Sequence, residues 1–212
     1  MKRPGFEADR FGIMAMDLAS GKTREVAPDW DRSAGPLKLS SDGRTLYTAA
    51  DELGQHPVFT IDIASGASTL IAGNGSIGEF DLADGTLAFT RDTLTSPAQL
   101  FVRQPAGGAD RQVSVNNAES LAKLAMGEAE QFHFTGAKGE KVYGYVVKPA
   151  NYQQGKTYPV AFLIHGGPQG SFGNHFHYRW NPQTYAGQGF AVVMIDFHGS
   201  TGYGQAFTDA IR

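Results

Sequence analysis

The chain of 212 residues has no cysteine. Disulfide staples and thiolate zinc sites are therefore excluded. Charge is sparse too: 18% of the residues are charged, against the roughly 25% usual in soluble domains. The formal net charge of −3 gives no reason to expect nucleic acid or an acidic membrane as partner. No apolar run reaches the length of a membrane span. The opening stretch Met1 to Arg10 has basic residues with no apolar core behind them, so it does not read as a signal peptide. What is abundant is glycine, at 27 residues, which suits turn-rich β structure, and the 41% hydrophobic content suits one or two globular domains with a core.

The first half of the chain repeats itself. Asp17-Leu18-Ala19-Ser20-Gly21 returns as Asp62-Ile63-Ala64-Ser65-Gly66, 45 residues on, and Ser41-Asp42-Gly43 is answered by Ala83-Asp84-Gly85, 42 residues on. A period of about 40 to 45 residues is that of a four-stranded propeller blade. Short strands are expected at residues 45–49, 58–63, 69–72, 86–90, 99–103 and 111–115, bounded by Asp-Gly, Ser-Gly and Gly-Gly turns. About two and a half blades fit, fewer than the four to eight or so that close a ring.

Between Asn116 and Met126, Ala118, Leu121, Ala122 and Ala125 recur at helical spacing and predict a short helix or linker. The domain boundary is placed there, with residues 1–116 as the last blades of a partial β-propeller and 117–212 as a second unit. Residues 131–135 and 142–148 alternate around Gly136-Ala137-Lys138-Gly139 as a β-hairpin. Two apolar runs follow, Tyr158 to Ile164 and Gly189 to Phe197, each ending in a glycine-rich loop. The residues between them allow a crossover helix, so the two are expected to be parallel neighbours in a sheet covered on both faces. Asn181-Pro182 reads as the start of a helix, and another begins near Gln205. Ligand sites of such sheets lie at the carboxyl ends of the strands.

Two glycine loops occupy those ends, His165-Gly166-Gly167-Pro168-Gln169-Gly170 and Gly199-Ser200-Thr201-Gly202-Tyr203-Gly204, and a third motif, Tyr178-Arg179-Trp180-Asn181-Pro182-Gln183, lies in the crossover between them. Together they resemble the start of the catalytic domain of the prolyl oligopeptidase family of serine peptidases, in its acylaminoacyl-peptidase and dipeptidyl-peptidase 5 type. His198 departs from the pattern, since many relatives carry Arg there. The resemblance implies a fold of β-propeller blades followed by the amino-terminal part of an α/β-hydrolase domain. It also implies hydrolysis of short peptides through an acyl-enzyme, a propeller that limits access, no cofactor, and a periplasmic or secreted setting.

By the same resemblance the Gly167 amide is the oxyanion donor, and His165, Gly166 and Pro168 support its loop. For His165 the blander reading is a histidine hydrogen-bonded at a strand end. A general-base role does not suit it, because the base of an α/β-hydrolase comes last in chain order. His175 and His177 form an H-x-H pair with no neighbouring carboxylate or cysteine in the sequence, so a solvated loop is expected there and no metal site. Arg179 and Trp180 are expected to pack the crossover against the sheet. Ser200 and Ser171 fail as nucleophiles, because neither sits in G-x-S-x-G, a motif that occurs nowhere in the chain. The catalytic Ser, Asp and His are accordingly expected beyond Arg212, and the chain alone is expected to be inactive. Two other readings stand beside this one: a non-enzymatic propeller binding module with a vestigial hydrolase segment, and an esterase using the same loop. The sequence carries no signal of oligomeric state.

Overall fold

The computed structural model, which describes residues 1–104, 107–167 and 169–211, turns the repeat into blades. Strands β1 (Met14–Met16) and β2 (Thr23–Glu25) form a two-stranded sheet. Strands β3 (Leu37–Leu39), β4 (Thr45–Ala49), β5 (Val58–Asp62) and β6 (Ser68–Ala72) form an antiparallel meander. A second meander follows with β7 (Ser76–Ala83), β8 (Thr86–Thr93), β9 (Ser96–Arg103) and β10 (Arg111–Gln112). That is two full blades and half of another.

The sequence repeat is a repeat of hydrogen bonds. Asp17 Oδ1 accepts from Ser20 N at 2.7 Å and from its hydroxyl at 2.6 Å, and Asp62 Oδ1 accepts from Ser65 N and hydroxyl, both at 2.7 Å. Each turn then closes on a left-handed glycine, Gly21 at φ 68 and Gly66 at φ 76. The matching turns pair β1 with β2 and β5 with β6, so the half blade is equivalent to the outer strands of a full one. The Asp-Gly turns match less well. Asp84 and Gly85 both have positive φ and join β7 directly to β8, the two-residue hairpin geometry. Asp42 instead takes Ser40 Oγ and Arg44 N on its carboxylate, within a longer loop.

Alternation along the strands buries both faces of the blades. Tyr47, Ala49 and Val58 pack with Ile77, Phe80, Leu87 and Phe89 between the two full sheets. Phe59 and Ile61, one register position over, pack with Ile13, Val26 and Trp30 against the half blade. Sequence periodicity did not reveal β7, because Gly78, Glu79 and Asp81 interrupt its apolar alternation. It missed β1, β2 and β3 because three residues carry too little pattern.

The linker region carries one helical turn, α1 (Ala118–Leu121), entered through Asn117 at φ 63. None of its residues is buried, so the apolar spacing there builds no packed face. Strands β11 (Ala129–Thr135) and β12 (Lys141–Val147) form the expected hairpin around a 3-10 turn at Ala137–Gly139. Then come β13 (Val160–Leu163), α2 (Pro182–Ala186), β14 (Ala191–Asp196) and α3 (Gln205–Asp209), with strand order β11-β12-β14-β13. β13 and β14 are parallel and β12 is antiparallel to β14, as the hairpin and the crossover require.

The sheet is not covered on both faces. Val160, Phe162 and Ile164 are 60%, 50% and 63% exposed, while Ala161 and Leu163 pack on a core of Tyr145, Val147, Ala186, Val192 and Met194. The crossover explains this. Among its described residues there is one helix, α2, of five residues, about 1.5 Å of rise for each, which packs on the covered face through Ala186, and the rest of the segment runs as loop toward the blades. Leu94, from the turn between β8 and β9, joins that core, and its amide is held by Asn174 Oδ1 at 3.0 Å.

Helix α3 is held from outside at both ends. Gly204, at φ 90, offers it no side-chain cap, and a Cβ there would come within 2.7 Å of Asp31 Oδ2. Asp31 uses that space to accept from Gln205 N at 3.0 Å, one of the first-turn amides that a helix leaves without a partner of its own. At the other end Arg3 places its guanidinium on Asp209 at 2.8 and 3.0 Å, offsetting a carboxylate near the negative end of a helix.

Candidate functional site

Because β13 and β14 are parallel, the loops after Leu163 and after Asp196 leave the same edge of the sheet. The apolar run of β14 closes on a buried carboxylate, Asp196. Its Oδ2 accepts from Ser171 Oγ and Tyr203 OH, each at 2.6 Å, and Phe172 N donates to Oδ1 at 3.3 Å. Burial pushes the Asp196 carboxyl above its usual range, against the opposing pull of those donors. Tyr203 is pushed up as well, by burial and by the carboxylate it faces.

His165 packs over this group, stacked on Phe197 with 4.4 Å between ring centroids. Its Nδ1 lies 3.0 Å from the Gly166 carbonyl and its Nε2 lies 2.8 Å from Ser200 Oγ. A carbonyl can only accept, so Nδ1 carries the hydrogen, and in the neutral ring Nε2 accepts from the serine hydroxyl. Ser200, His165 and Asp196 nevertheless do not make a catalytic triad. The carboxylate lies 3.8 Å from Nε2, the same nitrogen that Ser200 uses, whereas a triad holds the acid at Nδ1. Ser200 is moreover 0% exposed, and the Ser171 hydroxyl is committed to Asp196. Both serines serve the loop.

Fixing the Gly166 carbonyl fixes the next amide. The peptide unit is planar and trans, so the N–H of Gly167 points away from the carbonyl that His165 holds. Among the described residues no backbone acceptor meets that N–H. Gly167 has φ 132, and a Cβ on it would lie 2.6 Å from both N and O of Gln169, so no other residue fits the turn unchanged. Pro168 lies outside the described residues. A cavity of about 370 Å³ opens beside the loop, bounded by Ile164, His165, Gly166, Phe172, Trp180 and Tyr185.

Other expectations fare differently. His175 and His177 are not simply solvated. His175 Nδ1 pairs with Asp92 Oδ1 of β8 at 2.7 Å, and this bond raises its pKa, opposed by partial burial. His177 Nδ1 instead accepts from Arg179 N at 3.1 Å and Trp180 N at 3.0 Å. A carboxylate is thus present that the local sequence did not show. Among the described residues, no three His, Asp or Glu side chains group as metal ligands. Trp180 is not packed into the crossover: it is 49% exposed, with the Arg179 guanidinium 5.4 Å from its ring centroid. The ring instead borders the cavity beside the loop, just before Asn181 caps α2.

The chain aligns over its whole length with curated dipeptidyl-peptidases 5 of fungi. With that of Arthroderma otae it is 35% identical over 219 aligned positions, and with that of Aspergillus fumigatus 32%. The model of the prolyl oligopeptidase family matches residues 176–212. Over these residues the chain is similar to the prolyl oligopeptidase family.

Solved structures of family relatives carry the same architecture. The uncomplexed acylaminoacyl peptidase of Pyrococcus horikoshii superposes with a TM-score of 0.78 at 28% identity, covering 95% of this chain and 30% of that one. An acylaminoacyl peptidase in complex with Z-Gly-Gly-Phe-chloromethyl ketone gives 0.75 at 30% identity, covering 88% and 28%. The fold is therefore β-propeller blades followed by the amino-terminal part of an α/β-hydrolase domain. The chain spans about 30% of the length of the curated relatives it matches. At the position where many members of the family carry Arg, His198 Nε2 bonds the Glu140 carboxylate, and its ring stacks on Phe207 at 4.8 Å.

Proposed function

We propose that this chain is the part of a serine peptidase that carries one half of the oxyanion site. The Gly167 amide is the donor, and His165, Gly166 and Pro168 hold it in place. In this reading residues 1–116 belong to a propeller that limits access and residues 117–212 begin the catalytic domain. The nucleophile, acid and base come from residues outside this chain, so the chain alone turns over no substrate. The complete protein cleaves short peptides, of the dipeptidyl or acylaminoacyl class, through an acyl-enzyme.

The observation that carries this is the bond from His165 Nδ1 to the Gly166 carbonyl. It aims the next N–H away from that carbonyl, where among the described residues no backbone acceptor takes it. Preorganised amides of this kind act where charge develops in a transition state, because they need no reorganisation during the reaction. The curated relatives' name, dipeptidyl-peptidase 5, supports the substrate class.

Side-chain substitution at Gly167 is a poor test, since φ 132 penalises any Cβ. Replacing residue 167 by glycolic acid in the complete protein exchanges the N–H for an oxygen and leaves the rest. Turnover of a dipeptidyl or acyl-aminoacyl anilide is expected to fall by about a hundredfold or more, with little change in KM. Unchanged turnover by the ester-containing protein overturns the assignment.

A further inference from the structure

The loop of the first full blade between β4 and β5 is shaped to be gripped by the hydrolase part. Leu53, at φ 48, and Gly54, at φ 73, turn their carbonyls out of the blade. There Leu53 O accepts from Gln131 Nε2 and Gly54 O from Asn174 N, both at 2.7 Å. Leu53 N donates to Gly202 O at 3.1 Å. Asp51 accepts from Thr201 Oγ1 at 2.6 Å through Oδ2, and its Oδ1 meets His56 Nδ1 at 2.7 Å. The approach depends on missing side chains. A Cβ on Gly202 would lie 3.2 Å from Asp51, and one on Gly173 would lie 3.1 Å from the Gly54 carbonyl.

The tripeptide Ser200-Thr201-Gly202 faces two ways. On one side Thr201 Oγ1 and Gly202 O are bound to the blade loop. On the other, Ser200 Oγ meets His165 Nε2 at 2.8 Å and Thr201 N donates to Gly170 O at 3.0 Å. These bonds hold the Gly-Gly loop at both of its ends, His165 and Gly170. No further residue stands between the blade and the loop, and Ser200 and Gly202 are both buried. The Ser200 hydroxyl, fully buried, has no water to replace its partner when that bond is broken, whereas the Asp51 carboxylate that Thr201 meets is 40% exposed.

We infer that Asp51 and Thr201 are positioning residues, through which the propeller sets the placement of the loop that carries His165 and Gly167. The blade is then a structural part of the site as well as a cover over it. The inference deepens the proposed function and rests on it for the effect on turnover, while the mechanical coupling stands on the contacts alone.

The test compares Thr201→Val, which loses the hydroxyl donor at nearly constant shape, with Thr201→Ser, which keeps it, both in the complete protein. Hydrogen exchange read by mass spectrometry follows the amides of residues 164–170, with residues 76–93 of the second full blade as an internal control. Thr201→Val is expected to speed exchange over 164–170 by roughly tenfold, the scale of one lost bond to a charged acceptor, and to leave 76–93 unchanged. Thr201→Ser is expected to restore slow exchange. If the protein is a peptidase, kcat falls with the loop's protection while KM stays within about twofold. Slow exchange over 164–170 in a Thr201→Val protein with normal protection at 76–93 overturns the coupling, whatever happens to turnover. So does equal loss of protection in both segments, which reports general destabilisation. If the unmodified protein turns over no peptide, the function reading fails by itself and the exchange still decides the coupling.

Discussion

The blades and the hydrolase sheet solve the burial problem in opposite ways. Each full blade meets a neighbour of its own kind, and successive sheets bury Phe89 and Leu87 on one interface and Phe59 and Ile61 on the next. The hydrolase sheet has a core on one face only, and there it takes Leu94 from a blade turn to complete it. Its other face presents Val160, Phe162 and Ile164 to solvent. A repeat closes its cores with copies of itself, so its stability is nearly a sum over adjacent interfaces. A parallel pair needs layers on both faces, and within these residues α2 supplies one of them.

The comparison breaks most sharply on two phenylalanines. Phe89, 1% exposed between the two full blades, is expected to cost about 3–5 kcal/mol as Phe89→Ala. Phe162→Thr on the open face is expected to stay within about 0.5 kcal/mol. Urea denaturation of the two variants side by side checks both, and similar losses would dissolve the distinction.

A smaller effect probes how the regions are joined. Asp31→Ala removes the cap that the amino-terminal segment lends to α3, and a lost cap of this type costs about 1 kcal/mol. Faster amide exchange confined to residues 205–210, with β14 unaffected, is the expected signature. Fraying that spreads into the sheet would mean that α3 supports more than itself.

The smallest effect is a pH dependence. His175 has its pKa raised by Asp92, so the pair stabilises the fold fully below the unfolded value of about 6.5 and loses that contribution as pH rises through the folded value. The side chain is 44% exposed, which holds the effect to under about 1 kcal/mol. A ring titrating above about 6.5 by NMR, returning toward it in Asp92→Asn, is the expected result. A midpoint at or below that value in the unmodified protein would remove the pair from the interface energetics.

What could be read from the sequence followed how local each feature is. The Asp-x-x-Ser-Gly turns are closed by bonds between residues three or four apart, so their repetition reports the blades directly. The parallel pair was legible from two apolar runs bounded by glycine. The site was legible only in part. His165, Gly166 and Gly167 stand together in the chain, but the Ser200 hydroxyl that anchors His165 is 35 residues away. Ser200 and Ser171 drew notice only as nucleophiles, and Asp196, a buried carboxylate ending an apolar strand, was a signal left unused. Asp92 beside His175 is 83 residues distant, beyond any local pattern. Trp180 misled because burial averages say nothing about a loop that turns into a cap at Asn181.

The clasp on α3 bears on the order in which the molecule is assembled. Five residues are too few to stay helical in water, where nucleation is unfavourable and isolated helices need about 12 to 15 residues. Both holding side chains come from the opposite part of the chain, Asp31 from 174 positions away and Arg3 from 206. Contacts of such sequence separation are slow to find and carry no reward until the intervening chain is in place. As the chain is made, Arg3 and Asp31 therefore emerge before α3 and wait with their partners unmade while blades and hairpin form between them. The short helix can close only after both, joining residues made well apart in time.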